Sequence, residues 1–494
     1  MLLESQYGES AGYTIALIIE QGAPFYDLGV FRERADVLMW DVYAETLSGG
    51  ELEKIQFARL KSTLKRIWES GAPYREKMEE AGLSPGDVKS LEDLEKLPFS
   101  SKDDFRKNYP LGMLAVSRKD VVRIHASSGT TGTRTVVGYT ENDIENWAQL
   151  VARIATAAGV TREDIAQISF TYGLFTGGFG LHYGLEKLGA MVIPVSGGQT
   201  ELQMSVIMEL KPSVLISTPT YALYLSELGK EMGIDLPGSS LRVGLFGAEP
   251  WSEEIRARIE SGLGILATDN YGLSEVTGPG VAGECHLQNG LHIAEDHFIA
   301  EIVDEKGKPV GEGKQGELVL TTLTREAMPV IRFRTGDLTS ITRAECECGR
   351  KNARMSRVVG RADDMLIIKG VNVYPSQIER ALLEVAGVEP HYLIVVDRRR
   401  GLDVLEVWVE VSEGLFSDDA MVMRAFEEKI EAHIKSTLNV RASVRLKEPR
   451  TFDRTSGKAK RVIDLRREEP PDWLREELRM RKGAKGEHGS AHLV

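Results

Sequence analysis

Short apolar runs alternate with stretches of helical spacing through the middle of the chain. Segments 192–195, 214–216 and 243–246 are continuously apolar and flanked by Gly, Pro or Thr. That is the pattern of strands buried on both faces. Between them, 201–210 and 221–232 space their apolar side chains as helices do. The alternation predicts βαβ units and largely parallel sheets. Upstream, Leu52, Ile55, Leu60, Leu64, Ile67 and Trp68 predict a helix over 51–68. Downstream, 298–303 and 317–321 read as a hairpin-like pair with a Lys-Gly turn at 306–307. From about Arg361 the order becomes helix 376–386, strand 391–397, strand 403–412, helix 418–437 and strand 442–447. This predicts a second, small α+β unit. A short helix is expected near 473–480, followed by a charged tail.

The predicted domains are therefore an extension (1–38), a large unit (39–360), a small unit (361–464) and a tail (465–494). With 494 residues, more than one domain is expected. Lys plus Arg number 61 against 74 Asp plus Glu, a net charge of −13, which argues against a nucleic-acid partner. No apolar run reaches the ~18–20 residues that span a bilayer, and Glu4 and Glu9 stand where a signal peptide would be basic. Three cysteines make a disulfide framework implausible. These features predict a cytoplasmic protein without a membrane partner.

Residues 126–135 read Ala-Ser-Ser-Gly-Thr-Thr-Gly-Thr-Arg-Thr. Gly129 and Gly132 let backbone N–H groups approach an anion, Ser127, Ser128, Thr130, Thr131 and Thr133 offer hydroxyls, and Arg134 offers a positive fork. The run is a phosphate cradle by composition, though no Gly-Lys-Ser/Thr triplet closes it as a P-loop. Tyr271-Gly-Leu-Ser-Glu275 supplies a ring that can stack on a purine and a carboxylate that can hold Mg²⁺; taken alone, it reads as a strand-to-helix turn. Arg334-Thr-Gly-Asp337 puts a carboxylate behind a tight turn, suited to ribose hydroxyls. Gly360-Arg361-Ala-Asp363-Asp364 reads as a charged hinge, and Thr455-Ser-Gly-Lys458 carries a lysine able to stabilise developing negative charge.

In this order these motifs resemble the AMP-forming acyl-adenylating enzymes, and most closely the phenylacetate–CoA ligase family. The resemblance rests on Thr171-Tyr-Gly-Leu-Phe-Thr-Gly-Gly178, Phe246-Gly-Ala-Glu-Pro-Trp251 and Tyr271 to Val276 with Gly278-Pro-Gly280. It continues through Glu295-Asp-His-Phe298 and Asp364-Met-Leu-Ile-Ile-Lys-Gly-Val-Asn-Val-Tyr-Pro375, and spans roughly Met39 to Asp464. It implies a large adenylating domain of mainly parallel sheets flanked by helices, with a small β-barrel-like part, and a mobile α+β lid. It also implies an ATP-dependent aryl-acid–CoA ligase, acting on an acid such as phenylacetate.

Roles then follow from the resemblance. Ser127 to Thr133, with Arg134, would hold the β- and γ-phosphates; Ala248, Glu249 and Tyr271 would frame adenine, with Asn270, Gly272 and Ser274 beside them. Glu275 would bind Mg²⁺, Asp337 the ribose, and Arg361 the ribose or phosphate. Asp363 would be the hinge and Lys458 the adenylation lysine. Phe170, Phe175, Leu181, Ala248, Asn270 and Pro279 would form the aryl pocket.

The chain departs from the family at three places. Gly132-Thr-Arg-Thr135 replaces the usual Gly-Lys-Pro-Thr, so Arg134 is expected to compensate for the lysine. Asn270 stands where an aliphatic residue is common, and Leu181 where a small one is. Together they predict a small, hydroxylated aryl acid. Cys285, Cys346 and Cys348 with His292 make a set able to hold a structural zinc ion; His292 is preferred to His286, which adjoins Cys285. The alternatives are a related adenylyl transferase with another acceptor (coenzyme F390 synthetase-like) and a catalytically inactive nucleotide-binding homologue. A homodimer is the expected assembly.

Overall fold

A computed structural model describes residues 38–127, 134–362, 364–369, 371–399, 402–416, 419–452, 454 and 461–477. Its centre is a nine-stranded mixed sheet. Five strands run parallel in spatial order Met191–Ile193, Ile165–Ile168, Val214–Ser217, Val243–Gly247 and Leu266–Leu273. Val214–Ser217 and Val243–Gly247 are buried at every position. In these two, continuous apolar sequence marks strands covered on both faces, as expected for βαβ crossovers; the run at 192–195, expected to be buried likewise, falls on the edge strand Met191–Ile193, where Met191 is exposed and Val192 and Ile193 are half-buried. The covering helices include Glu141–Ala157, Thr176–Leu188, Pro219–Glu231 and Glu253–Leu263. Several start on side-chain caps: Thr140 accepts from the Asp143 N–H, and Thr218 from the Tyr221 N–H just ahead of Pro219.

The parallel run ends at Leu266–Leu273. The chain turns back there, and Gly278–Glu284 pairs antiparallel with it. The 271–275 motif therefore closes a strand-to-strand turn, where a strand-to-helix turn was the reading of that motif taken alone. Gly272 allows it: a Cβ there would lie 1.8 Å from the Gly278 carbonyl oxygen. Gly278 supplies the matching positive φ of 116°. Leu291–Ile293, Arg354–Met355 and Ile341–Thr342 complete the sheet.

A four-stranded antiparallel sheet is built from Phe298–Val303, Gly316–Thr322, Phe333–Thr339 and Gly360–Arg361. It corrects the expectation of a barrel-like part. Its last strand has two residues, and among the described residues no strand closes it back onto Phe298–Val303. Its final pairing sets Arg361 opposite Asp337.

The small lobe has its own apolar core, including Ile378, Leu382, Ile394, Val407, Ile430 and Val444. Its four-stranded sheet runs Ala442–Lys447, Leu402–Val411, Val388–Arg399 and Val462–Asp464, with helices Pro375–Leu383 and Ala420–Leu438. The expected element order is found here, preceded by the unexpected hairpin Leu366–Ile368 and Val371–Val373 and followed by the additional strand Val462–Asp464. A short helix covers 472–477. No helix among the described residues is long and apolar enough to cross a membrane.

Candidate active site

Parallel strands end on one edge of the sheet, and in open α/β sheets ligands bind beyond that edge. The loops after Ile165–Ile168, Val214–Ser217, Val243–Gly247 and Leu266–Leu273 all emerge there. These loops and the helix starts that follow them carry Phe170 to Gly178, Thr218 to Thr220, Ala248 to Trp251 and Ser274 to Glu275.

Three motif residues far apart in sequence meet at this edge. The Tyr271 hydroxyl donates to Asp337 Oδ2 at 2.6 Å, and Arg361 Nη1 donates to Asp337 Oδ1 at 2.9 Å. Asp337 is further fixed by its own N–H, which donates to Thr335 Oγ1 at 3.0 Å. Burial pushes the Tyr271 phenol well up, and the Asp337 carboxylate adds to it. The ring is thus a neutral donor held in one orientation.

The Ala248–Glu249 turn lies beside this group. Ala248 has φ 71°, a conformation rare for a residue with a side chain. Gly247 precedes it because a Cβ there would lie 2.3 Å from the Asn270 carbonyl oxygen. Glu249 Oε1 accepts from the Thr220 N–H at 2.8 Å. Burial raises its carboxyl, while Arg461 and Thr220 pull the other way. Asn270 is buried, and its Nδ2 donates to the Phe246 carbonyl. That bond commits the amide nitrogen to the backbone and leaves the carboxamide oxygen as acceptor.

Glu275 is 4 % exposed, and Lys102 Nζ stands 4.0 Å from its Oε1. Ser274 Oγ lies 3.1 Å from Thr176 Oγ1, tying this turn to the helix that follows the aromatic motif. Of the phosphate cradle, the two ends are described. The Ser127 N–H donates to the Thr135 carbonyl at 2.9 Å and closes the mouth of the loop, with Arg134 beside it. Ser128, Gly129, Thr130, Thr131, Gly132 and Thr133 lie outside the described residues, as do Asp363 and Lys458.

Phe170 and Phe175 face each other with ring centroids 6.4 Å apart. Phe175 caps the helix Thr176–Leu188 and is half-buried. Leu181 is 1 % exposed within the large apolar core, and Pro279 is fixed by the Trp147 Nε1–H, which donates to its carbonyl at 2.8 Å. Leu181 is thus enclosed by core neighbours.

Sequence reasoning missed Lys102, Thr220, Thr335 and Arg461. Thr220 had a local signal, the Thr218-Pro219 helix start. Thr335 lies inside the Arg334-Thr-Gly-Asp337 motif, two residues before the carboxylate residue it holds, whereas Lys102 and Arg461 have no local pattern and only tertiary contact places them.

At the antiparallel end of the sheet, Cys285, His292, Cys346 and Cys348 are all buried, with ligand atoms within 4.8 Å of one another. Cys285 Sγ lies 3.9 Å from Cys346 Sγ, and Cys348 Sγ 3.4 Å from His292 Nε2. Ligands on a tetrahedral zinc with ~2.3 Å bonds are separated by about 3.8 Å, so the donors fit that ion. Hydrogen bonding and burial raise the Cys285 thiol, whereas Cys285 and His292 hold Cys348 down.

Comparison with known proteins agrees with this arrangement. Residues 61–323 match the AMP-binding enzyme family and 370–466 its C-terminal domain. The phenylacetate-coenzyme A ligase of Escherichia coli is 49% identical over 425 residues, 85% of this chain and 97% of that protein. The chain belongs to the phenylacetate–CoA ligase family of AMP-binding enzymes. The family's Thermus thermophilus member is 46% identical over 445 residues, 87% of this chain and all of that ligase. A crystal structure of 2-hydroxyisobutyryl-CoA ligase in the postadenylation state, with 2-HIB-AMP, matches at TM-score 0.84 and 30% identity. It covers 92% of this chain and 97% of that one. The same ligase with 2-HIB-AMP and CoA in the thioesterification state covers the same shares at TM-score 0.66.

Proposed function

We propose that this protein is an ATP-dependent, AMP-forming ligase that activates a small aromatic carboxylic acid, phenylacetate or a close relative, and transfers it to coenzyme A. The observation that carries the reading is the meeting of Tyr271, Asp337 and Arg361 beside the Ala248–Glu249 turn, on the ligand-binding edge of the sheet. These groups match a nucleotide: a fixed ring for the base, a carboxylate suited to ribose hydroxyls, and a guanidinium for the phosphate side.

In the first step an oxygen of the acid attacks the α-phosphorus of ATP, and the bond to the β-phosphate breaks, giving acyl-AMP and pyrophosphate. Arg361, Arg134 and Lys458 offset the approach of two anions. Glu275 would hold Mg²⁺, which supplies further neutralisation of phosphate charge; its buried carboxylate, with one cation at 4.0 Å, has oxygen lone pairs to give. In the second step the coenzyme A thiolate attacks the acyl carbon and AMP departs, the thiol proton passing to water. Asp363 is the proposed hinge. Cys285, His292, Cys346 and Cys348 are the proposed ligands of a structural zinc. The enzyme is placed in the cytoplasm, and a homodimer is the assembly we expect.

Two measurements follow. Acid-dependent ATP–pyrophosphate exchange should appear with a panel of aryl acids. The Asn270 oxygen accepts, so a ring hydroxyl or amino group should raise kcat/KM over unsubstituted phenylacetate, and a methoxy group should not. A strong preference for unsubstituted phenylacetate would remove the Asn270 argument; no exchange with any aryl acid would remove the function. Second, Asp337→Asn should weaken ATP binding about 10–100-fold, because hydrogen bonds to a charged acceptor contribute about 1.5–3 kcal/mol. Calorimetric titration with ATP reads this directly, and an unchanged Kd would take Asp337 out of the site.

A further inference from the structure

The helix Pro219–Glu231 belongs to the large lobe, yet much of its polar surface is engaged by the small one. At its start, Arg461 Nη2 donates to Thr220 Oγ1 at 3.3 Å. Arg461 is itself held within the small lobe by Glu379 and stands over the Tyr392 ring at 4.7 Å. Thr220 in turn gives its N–H to Glu249 in the adenine-framing turn. Two helical turns on, Glu227 Oε1 lies 2.7 Å from His391 Nε2, and Glu227 Oε2 accepts from Arg454 Nε at 3.4 Å. Arg454 is pre-set by Glu410, which accepts from both guanidinium nitrogens at 3.0 and 2.8 Å. Glu410 is 1 % exposed and Arg454 16 % by side chain, so this pair is a rigid part of the small lobe that presents one edge to Glu227. Burial raises the Glu227 carboxyl, but His391 and Arg454 outweigh it and the net shift is downward. At the helix end, Glu231 pairs with Arg450; both are exposed, and that contact contributes little.

The lobes sit as in the postadenylation structures of 2-hydroxyisobutyryl-CoA ligase, at TM-score 0.84, rather than as in its thioesterification structure, at 0.66. A small lobe placed otherwise cannot keep His391 and Arg454 on Glu227 and Arg461 on Thr220 together, since both contacts lie on one rigid helix. We infer that Glu227 is a positioning residue for the first half-reaction: it docks the small lobe, through His391 and Arg454, in the arrangement in which acyl-AMP forms, and it lets go for the transfer to coenzyme A. The inference rests on the two-step ligase reading. Glu227 touches no substrate in it, so its effect is on the population of one lobe arrangement.

The experiment separates the two half-reactions in the full chain, using phenylacetate and synthetic phenylacetyl-AMP. Glu227→Ala and Glu227→Gln should each slow acid-dependent pyrophosphate release about tenfold, as loss of one part-buried ion pair at an interface allows. Thioester formation from supplied phenylacetyl-AMP and coenzyme A should hold its rate or rise. Thermal midpoints near that of the unaltered chain are the accompanying control, since Glu227 lies on a lobe surface. Equal loss of both half-reactions, or no change in either, overturns the inference while leaving the ligase reading intact. Absence of acid-dependent pyrophosphate release from the unaltered chain overturns the ligase reading and the inference with it.

Discussion

Lys458→Ala should reduce acyl-AMP formation by about 10³-fold or more while thioester formation from supplied acyl-AMP survives. The size follows from the chemistry. Attack of a carboxylate on a triphosphate gathers negative charge at one point, and a preorganised cation there contributes about 3–4 kcal/mol or more to the transition state. The selectivity follows from the organisation of the chain. Lys458 is on the small lobe's stretch of sequence, three residues before Arg461, which donates to Thr220, the residue whose N–H holds Glu249. A group brought by one lobe arrangement serves only the step that uses it. Transfer to coenzyme A expels AMP, a good leaving group, and has no comparable accumulation of charge. Single-turnover assays of the two half-reactions, with pyrophosphate and thioester as readouts, check this. Loss of both steps to the same extent would end the separate role for Lys458.

Removal of the proposed zinc should be the largest single loss of stability available in the large lobe. The unaltered chain should carry one zinc per chain, and Cys348→Ser should abolish that and lower the temperature of the first unfolding transition. Three thiols and an imidazole with donor separations of 3.4 and 3.9 Å match a closed tetrahedral site. A metal bound at a free concentration a thousand times its Kd stabilises the folded state by about 4 kcal/mol. The consequence reaches further than the loop. Arg350, two residues beyond Cys348, is buried with Glu45, each 1 % exposed by side chain, and the Lys351 N–H donates to the Glu45 carbonyl at 2.8 Å. The loop of the proposed zinc site thus pins the segment around Glu45, and its release should expose that segment to protease. Elemental analysis and calorimetry decide the matter. A metal-free protein whose unfolding is indifferent to Cys348→Ser would leave three thiols packed as small apolar side chains.

Much of the fold is legible in the sequence for a simple reason. Strands such as Val214–Ser217 and Val243–Gly247 are covered on both faces, so burial alone dictates an unbroken apolar run, and the intervening helices show their own period. The small lobe is legible on the same ground. The strand Val462–Asp464 was missed because three residues beside Arg461 and Arg466 carry no period. The barrel-like expectation failed because closure depends on whether the last strand is long enough to pair again, and Gly360–Arg361 is not. The turn at 271–275 goes into an antiparallel strand because Gly272 and Gly278 pass within van der Waals contact, which no spacing rule reveals.

The sequence by itself determined which chemistry this protein carries: which residues are small, hydroxylic, charged or thiol, in which order, and therefore which family it belongs to. Tertiary structure alone decided what those residues touch. Asp337 meets Arg361 because two short strands pair in one register, and Tyr271 reaches the same carboxylate from another sheet. Glu227 meets His391 and Arg454 because two lobes settle against one helix. The physical reason is range. Burial and periodicity act on neighbours along the chain and leave their mark there, whereas a hydrogen bond between groups a hundred residues apart imposes no local pattern on either.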